Sequence, residues 1–452
     1  MIGIVVSEAD EASVAIGDQL LARGDFERVG DGAYRSEHFE LREFEPLHLD
    51  LDGVADAFDD PAFVVFASRH SGDTGPLLSA HYTGNFGDAE YGGEDRSLAP
   101  ACPNAHREVV ASLREYAPDG YDVAMECTHH GPTAAGAPSM FVELGSSESE
   151  WRDDAGARAV AEAILDLAGA DARTERSLVA FGGGHYAPRP TRILADTDWA
   201  VGHVAADWSL ADLGDPRAHR DVVDAMFDAS DAAHAVVDGD HPAVESVVGD
   251  LGYRVVSETW VRETDGVPLA LADALERDVE SVDDGLRFGD PARGYDDGYL
   301  VVDLPADLLD AAHAVDPEAT VAAGLGRALA VATDENGNRL AGAAAFSEEA
   351  AYDAFVDDIA DLLATEYESV ARDDGELTAV KEAFDPEAAA ELGVPEGPKF
   401  GKLANGVPVD VDGAEVAPSD VSRTQRITVS VGVRERTRER VRRPSDAEGK
   451  GN

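Results

Sequence analysis

The chain has 452 residues, 91 acidic and 36 basic, for a formal net charge of -55. A hydrophobic fraction of 44% is ordinary for a folded chain, so the charge does not signify wholesale disorder. The length allows two or three domains with real cores, and no run approaches 18 apolar residues, so a membrane-spanning helix is not expected.

Met1-Ile2-Gly3-Ile4-Val5-Val6 has no basic leader region and reads as a first strand rather than a signal peptide. Asp10 is placed to cap an amphipathic helix running to Leu21. Phe63–Ala67 is a strand, Asn104–Tyr116 a helix, Tyr121–Met125 and Met140–Leu144 strands, and Ala155–Leu167 a helix. Leu178–Phe181 and Trp199–Val204 read as strands, and Asp221–Ala235 as a helix. Continuous apolar strands separated by helices predict an α/β fold, a mostly parallel sheet with helices on both faces. From about residue 271 the chain turns rich in Ala, Asp and Gly. Tyr299–Leu304, Ala328–Thr333 and the helical run Ala351–Tyr367 predict a C-terminal α+β extension, with short strands and turns across Gly393–Val421.

The charge first argues against a polyphosphate partner, which selects basic surfaces. The basic residues qualify that argument. Only four are lysine (Lys381, Lys399, Lys402 and Lys450), and the first 380 residues have none. Abundant Asp and Glu with almost no Lys suits molar intracellular salt, where the Debye length falls to about 3 Å and self-repulsion is screened. The acidity then describes the solvent more than the partner. Two cysteines, Cys102 and Cys127, are too few for a disulfide framework and suit a reducing cytoplasm. So charged a surface also disfavours self-association, which points to a monomer.

Twelve of the thirteen histidines lie between His38 and His241. Imidazole chemistry therefore belongs to the first half of the chain. Polar clusters follow its apolar strands: Ser68-Arg69-His70, His81 to Asn85, Glu126 to Thr133, Gly145-Ser146-Ser147, Gly182 to Tyr186, and Gly202-His203. In an open parallel sheet, ligands bind beyond the carboxyl ends of the strands. The ligands on offer are His81, Glu126, Cys127, His129, His130, Glu143, His185 and His203. Imidazole with carboxylate and no paired thiolates suits a catalytic Zn(2+) with an open position. Spacing alone does not choose among them. Gly182-Gly183-Gly184 offers backbone N–H groups to a carboxylate or phosphate. His106, on a helix face, reads as structural. No GxSxG elbow favours a serine hydrolase.

Met1 to Ser7, His81-Tyr82-Thr83-Gly84-Asn85, Glu126-Cys127-Thr128-His129-His130-Gly131-Pro132-Thr133 and Gly182-Gly183-Gly184-His185-Tyr186-Ala187-Pro188-Arg189 occur in this order. In these motifs the sequence resembles the archaeal and plant D-aminoacyl-tRNA deacylases, the second family of that activity, over roughly residues 1 to 270. The resemblance implies zinc-dependent hydrolysis of the ester between a D-amino acid and tRNA. It also implies a fold similar to peptidyl-tRNA hydrolase and nucleoside-phosphorylase-like proteins. Residues 1-270 are then the catalytic domain, 271-422 an extension and 423-452 an Arg-rich tail. His81, Asn85, His129 and Thr128 are expected to be catalytic. Glu126, His130, His185 and Glu143 are expected to hold metal, and Tyr82, Gly183, Gly184 and Tyr186 to bind substrate.

Eight arginines and two glutamates fall within Arg423–Arg443, a local charge of +6. Arg434, Arg436, Arg438, Arg440, Arg442 and Arg443 read as a nucleic-acid contact, since Arg matches phosphate geometry. A tail folded back on the acidic body is the competing reading. Two other functions remain open: a metal-dependent hydrolase or phosphorylase-like enzyme on a small metabolite, and a non-catalytic tRNA-binding module.

Overall fold

The computed structural model describes residues 1–433 and 437–441. The chain divides into two compact units, Met1–Arg262 and Glu263–Asn452. No described helix is long and apolar enough to cross a membrane.

The first unit holds a mixed sheet of eight strands: β1 (Ile2–Ser7), β2 (Glu27–Gly30), β3 (Ala33–Arg35), β4 (Phe39–Phe44), β5 (Phe63–Arg69), β6 (Leu77–His81), β7 (Asp122–Met125) and β8 (Ser139–Gly145). Their order is β2-β3-β4-β1-β5-β8-β6-β7. β4, β1, β5 and β8 are parallel. β2, β3 and β4 form an antiparallel meander, and β6 runs antiparallel to β8 with β7 beside it. The expectation of a mostly parallel sheet is therefore corrected here. The link from Arg69 to Leu77 is too short for the crossover of a dozen or more residues that a parallel return needs.

A smaller sheet, β9 (Ser177–Gly182), β10 (Ala200–Ala205), β11 (His234–Asp238) and β12 (Arg254–Val255), is parallel throughout in the order β10-β9-β11-β12. The helix expected to reach Ala235 ends at Ser230. Asp231 takes a left-handed φ of 50° there, and β11 begins three residues later.

Strand alternation gives the large sheet two different faces. Val6 and Leu144 face the helices Glu11–Arg23 and Asp154–Leu165, in which Gly17 and Gly156 have no side chain to hold the helices off. Asp10 caps the first helix by accepting from the Ala12 and Ser13 N–H groups. The other face carries Val5, Val64, Phe66 and Phe141. It packs against Leu51, Val54, Ala55 and Phe58 from short 3-10 turns and loops. Helices thus cover one face of this sheet rather than both. Pairing sets Phe66 beside Phe141 and Phe141 beside His81, and in the next row Ser68 beside Glu143 and Glu143 beside Ser79. The apolar row ends where the polar chemistry begins.

The second unit is α+β. Arg287–Phe288, Ala330–Asp334, Arg339–Phe346, Tyr299–Asp303 and Thr437–Val441 form one sheet, and Ser369–Asp373, Glu376–Phe384 and Ser422–Ser430 another. Arg423 and Arg426 therefore lie in a paired strand and not in a tail. Arg438 and Arg440 lie in Thr437–Val441, paired antiparallel with Tyr299–Val302. Arg434, Arg436, Arg442 and Arg443 lie outside the described residues.

Phe66 and Phe141 stack at 4.5 Å and are buried. Phe66→Ala is expected to destabilise the protein by roughly 3–5 kcal/mol, read from its urea midpoint, and Phe66→Leu by much less.

Candidate active site

Two glutamates set the electrostatics. Glu143 projects from β8 and Glu126 follows β7, and they are 3% and 0% exposed. Buried carboxylates need compensating charge and hydrogen bonds. His70 Nδ1 lies 3.1 Å from Glu126 Oε1 and 3.5 Å from Glu143 Oε2. His81 Nε2 lies 3.6 Å from Glu143 Oε1. His185 Nε2 is 2.8 Å from Glu126 Oε2, and His129 Nε2 is 3.9 Å from the same oxygen. Burial opposes the charge on His70, but Glu126 and Glu143 outweigh it and raise its pKa to about 9. His185 is likewise raised against burial, to about 10, by Cys127 and Glu126. Burial acts to raise both glutamates, yet the surrounding imidazoles hold them below the usual carboxylate range.

Three imidazoles share one orientation. His81 Nδ1 is 3.0 Å from the Tyr82 carbonyl, His129 Nδ1 2.7 Å from that of Cys127, and His130 Nδ1 2.7 Å from that of Gly131. A carbonyl only accepts, so each Nδ1 carries a proton; on His129 and His130 the neutral ring keeps its lone pair on Nε2, whereas Glu143 raises the pKa of His81 against the effect of burial. Burial holds His129 and His130 below the ordinary histidine range, His130 at about 4. The ligand atoms of His81, His129 and His130 lie within 4.8 Å of one another, as do those of Cys127, His129 and His185 and those of His70, Glu126 and Glu143. His81 Nε2 is buried without a hydrogen-bond partner. An unpartnered imidazole nitrogen, buried carboxylates and imidazoles oriented by backbone carbonyls together make a set that could hold a metal ion.

The loop Glu126–Gly131 is laced into place from several directions. Glu126 N–H donates to Ala80, Cys127 to His185, and Thr128 to Val204, while the His130 carbonyl accepts from Gly84 N–H. A Cβ on Gly131 would overlap the Gly92 and Gly93 backbone, and one on Gly145 would overlap His70.

His129, His130, His185, Glu143 and Asn85 line a cavity of about 670 Å³. His81 lies beneath them, stacked 5.1 Å from Phe141 and 4.1 Å from His129. Asn85 spends its amide on the Gly92 and Glu94 carbonyls, so it holds the loop between them. Thr128 is fully buried. Its hydroxyl is 2.9 Å from His203 Nδ1 and accepts from the Val204 N–H. Tyr82 is also fully buried, donating to the Val201 carbonyl with its ring against His106. Neither side chain lines the cavity. Tyr186 Oη lies 3.2 Å from His70 Nε2. Gly182 and Gly183 take positive φ of 84° and 77°, and the Gly183 carbonyl accepts from Asp207 N–H at the start of helix Asp207–Leu213.

His70 was given no role from sequence, although it follows a strand as the other clusters do. Trp208 and Tyr91, which also line the cavity, carried no signal, because exposure is not written in composition. His203, a candidate ligand by type, has both nitrogens engaged. Nε2 donates to the Ala99 carbonyl, so Nδ1 accepts from Thr128. Burial lowers its pKa to about 4. An unfolded histidine, at about 6.5, binds protons first as pH falls. His203 therefore contributes stability that is complete above pH 6.5 and is lost as pH falls from there to about 4. The His203 ring signals in an NMR titration are expected to stay flat through pH 6.5, and a midpoint near 6.5 would contradict the assignment.

A family model described as D-aminoacyl-tRNA deacylase matches residues 57–256. Over all of both chains, the sequence is 66% identical to a D-aminoacyl-tRNA deacylase of Halobacterium salinarum. That of Natronomonas pharaonis is 53% identical over 94% of this chain and 99% of its own, and that of Methanoregula boonei 35% identical over 86% and 90%. A crystal structure of a conserved protein of unknown function is 33% identical, with a TM-score of 0.54, over 59% of this chain and 98% of that one. The likeness to the AMP nucleosidase of Bacteroides thetaiotaomicron, with a TM-score of 0.25 at 13% identity over 37% of this chain and 86% of that one, is too remote to assign a phosphorylase-like fold. On its full-length identity to these relatives, the chain belongs to the D-aminoacyl-tRNA deacylase family.

Proposed function

We propose that this protein hydrolyses the ester linking a D-amino acid to tRNA. Free D-amino acid and reusable tRNA are released, and D-residues are kept out of protein synthesis. The observation that carries the reading is the full-length relationship to proteins named for that activity, on a chain whose cavity is floored by buried carboxylates and imidazoles.

An aminoacyl ester is already activated, so hydrolysis needs a placed water, a proton acceptor and stabilisation of the developing oxyanion, without a covalent nucleophile. Zinc is the cation we assign to the donor set, held by Glu126, Glu143, His130 and His185 with His70, His81 and His129 alongside. When bound, it supplies Lewis-acid polarisation of a carbonyl. His129 faces the cavity neutral, its Nδ1–H fixed by the Cys127 carbonyl, and is assigned as proton acceptor. His70 bridges the two glutamates and is itself met by Tyr186. Gly183 and Gly184 are assigned as backbone donors toward the substrate. Asn85 acts by holding its loop, while Thr128 and Tyr82 hold the scaffold.

The chemistry is assigned to the first unit, the catalytic domain, and tRNA backbone contact to the arginine-rich block of the second. Composition favours a cytoplasmic monomer working in molar salt. D- and L-tyrosyl-tRNA, incubated at molar KCl with and without chelator, test the reading. The D-ester is expected to be cleaved at least roughly 100-fold faster than the L-ester. Chelation should stop this, and added zinc should restore it. Equal rates for the two enantiomers would overturn chiral selection.

A further inference from the structure

Tyr91 and Trp208 are exposed, at 67% and 43%, and both line the cavity that contains His129, His185 and Glu143. Large aromatic rings gain most from burial, so two exposed rings at one mouth call for an occupant. Both rings sit on anchored backbone. Trp208 is the second residue of helix Asp207–Leu213, whose first N–H is held by the Gly183 carbonyl at 2.9 Å. Its ring lies 6.3 Å from that of His185, at 27°. The Tyr91 carbonyl accepts from the Gly131 N–H at 2.9 Å, which ties it to the His129-His130 loop. Asn85 fixes the residues that follow, through Gly92 and Glu94. The strand-end glycines thus place an aromatic ring beside His185, and the histidine loop anchors the main chain that carries the second ring into the same cavity.

A cavity of about 670 Å³ matches sites that enclose small ligands and is far too small for folded RNA. Only the end of the substrate can enter, namely the amino acid, its ester and the nucleoside that bears it. The ester belongs at Glu143 and His129. The flat group left to meet the exposed aromatics is the base, and bases stack on such side chains in single-stranded recognition. We propose that Trp208 and Tyr91 form the subsite for the adenine of the tRNA 3′-terminal nucleoside. The proposal rests on the substrate reading above. It makes these residues determinants of nucleoside recognition, leaving the amino acid to the inner part of the cavity.

The competing occupant is the side chain of the amino acid, and the experiment separates the two. KM and kcat are measured for Trp208→Ala, Trp208→Phe and Tyr91→Ala on D-tyrosyl-tRNA and D-alanyl-tRNA, and retention of AMP is measured by equilibrium dialysis. Loss of a stacking partner is expected to raise KM about tenfold for both esters, with kcat changed far less. AMP retention should weaken by a similar factor, and Trp208→Phe should recover most of both losses. A penalty confined to D-tyrosyl-tRNA, or AMP retention unchanged by Trp208→Ala, would overturn the proposal. Failure of the substrate reading looks different. The unsubstituted protein would leave D-aminoacyl-tRNA intact, while its retention of AMP would still depend on Trp208. Trp208 is a surface residue, and unchanged circular dichroism verifies that its variants fold.

Discussion

Two carboxylates buried side by side dictate the arrangement around them. Desolvating a carboxylate costs several kcal/mol even after relaxation, and a second like charge adds repulsion. Glu126 and Glu143 are tolerated because His70, His81 and His185 approach them, at 2.8 to 3.6 Å. His129 and His130 stay neutral and offer lone pairs to the same region. Stability alone would be served as well by apolar residues of the same volume. A site that keeps both acids and surrounds them with carbonyl-oriented imidazoles has the groups that could hold a cation, which is the role proposed for it above.

That cluster depends on strand register. Glu143 sits in β8 between Ser68 and Ser79, and His81 pairs with Phe141 on the same face. A slip of one residue would send all of them to the helix side. The antiparallel turn of β6 brings His81 and, through β7, Glu126 to the row where Phe66 and Phe141 end the apolar core. The site thus lies over the face of a mixed sheet and not simply beyond parallel strand ends. The Glu126–Gly131 loop then joins the larger sheet to β10 and to the segment that follows β9 through its own main chain.

Much of this was legible in sequence. Apolar strands such as Phe63–Ala67 and Met140–Leu144, the Asp10 cap, and the attachment of histidine clusters to strands follow from periodicity and composition. Direction does not. His81 and Tyr82 are neighbours in one motif, but successive side chains point to opposite faces. His81 meets Phe141, while Tyr82 faces His106 in the core. Thr128 sits inside the most loaded motif and serves a hydrogen bond with His203. The short strand Leu77–His81 lacks the long apolar run that marks its neighbours. The arginine block reads as a tail from its charge, and within it the described segment Thr437–Val441 is a strand paired with Tyr299–Val302, an element that charge does not signal.

The central claim is that the buried acids exist to hold a cation and not to hold the fold. Zinc retention and metal-free melting temperature of Glu126→Gln/Glu143→Gln, measured beside the unsubstituted protein, test it most directly. The account expects the double variant to retain no zinc while melting, metal-free, at the same temperature or higher, because two buried charges are gone. A double variant that keeps its full zinc content, or one that fails to fold without metal where the unsubstituted protein folds, would contradict it.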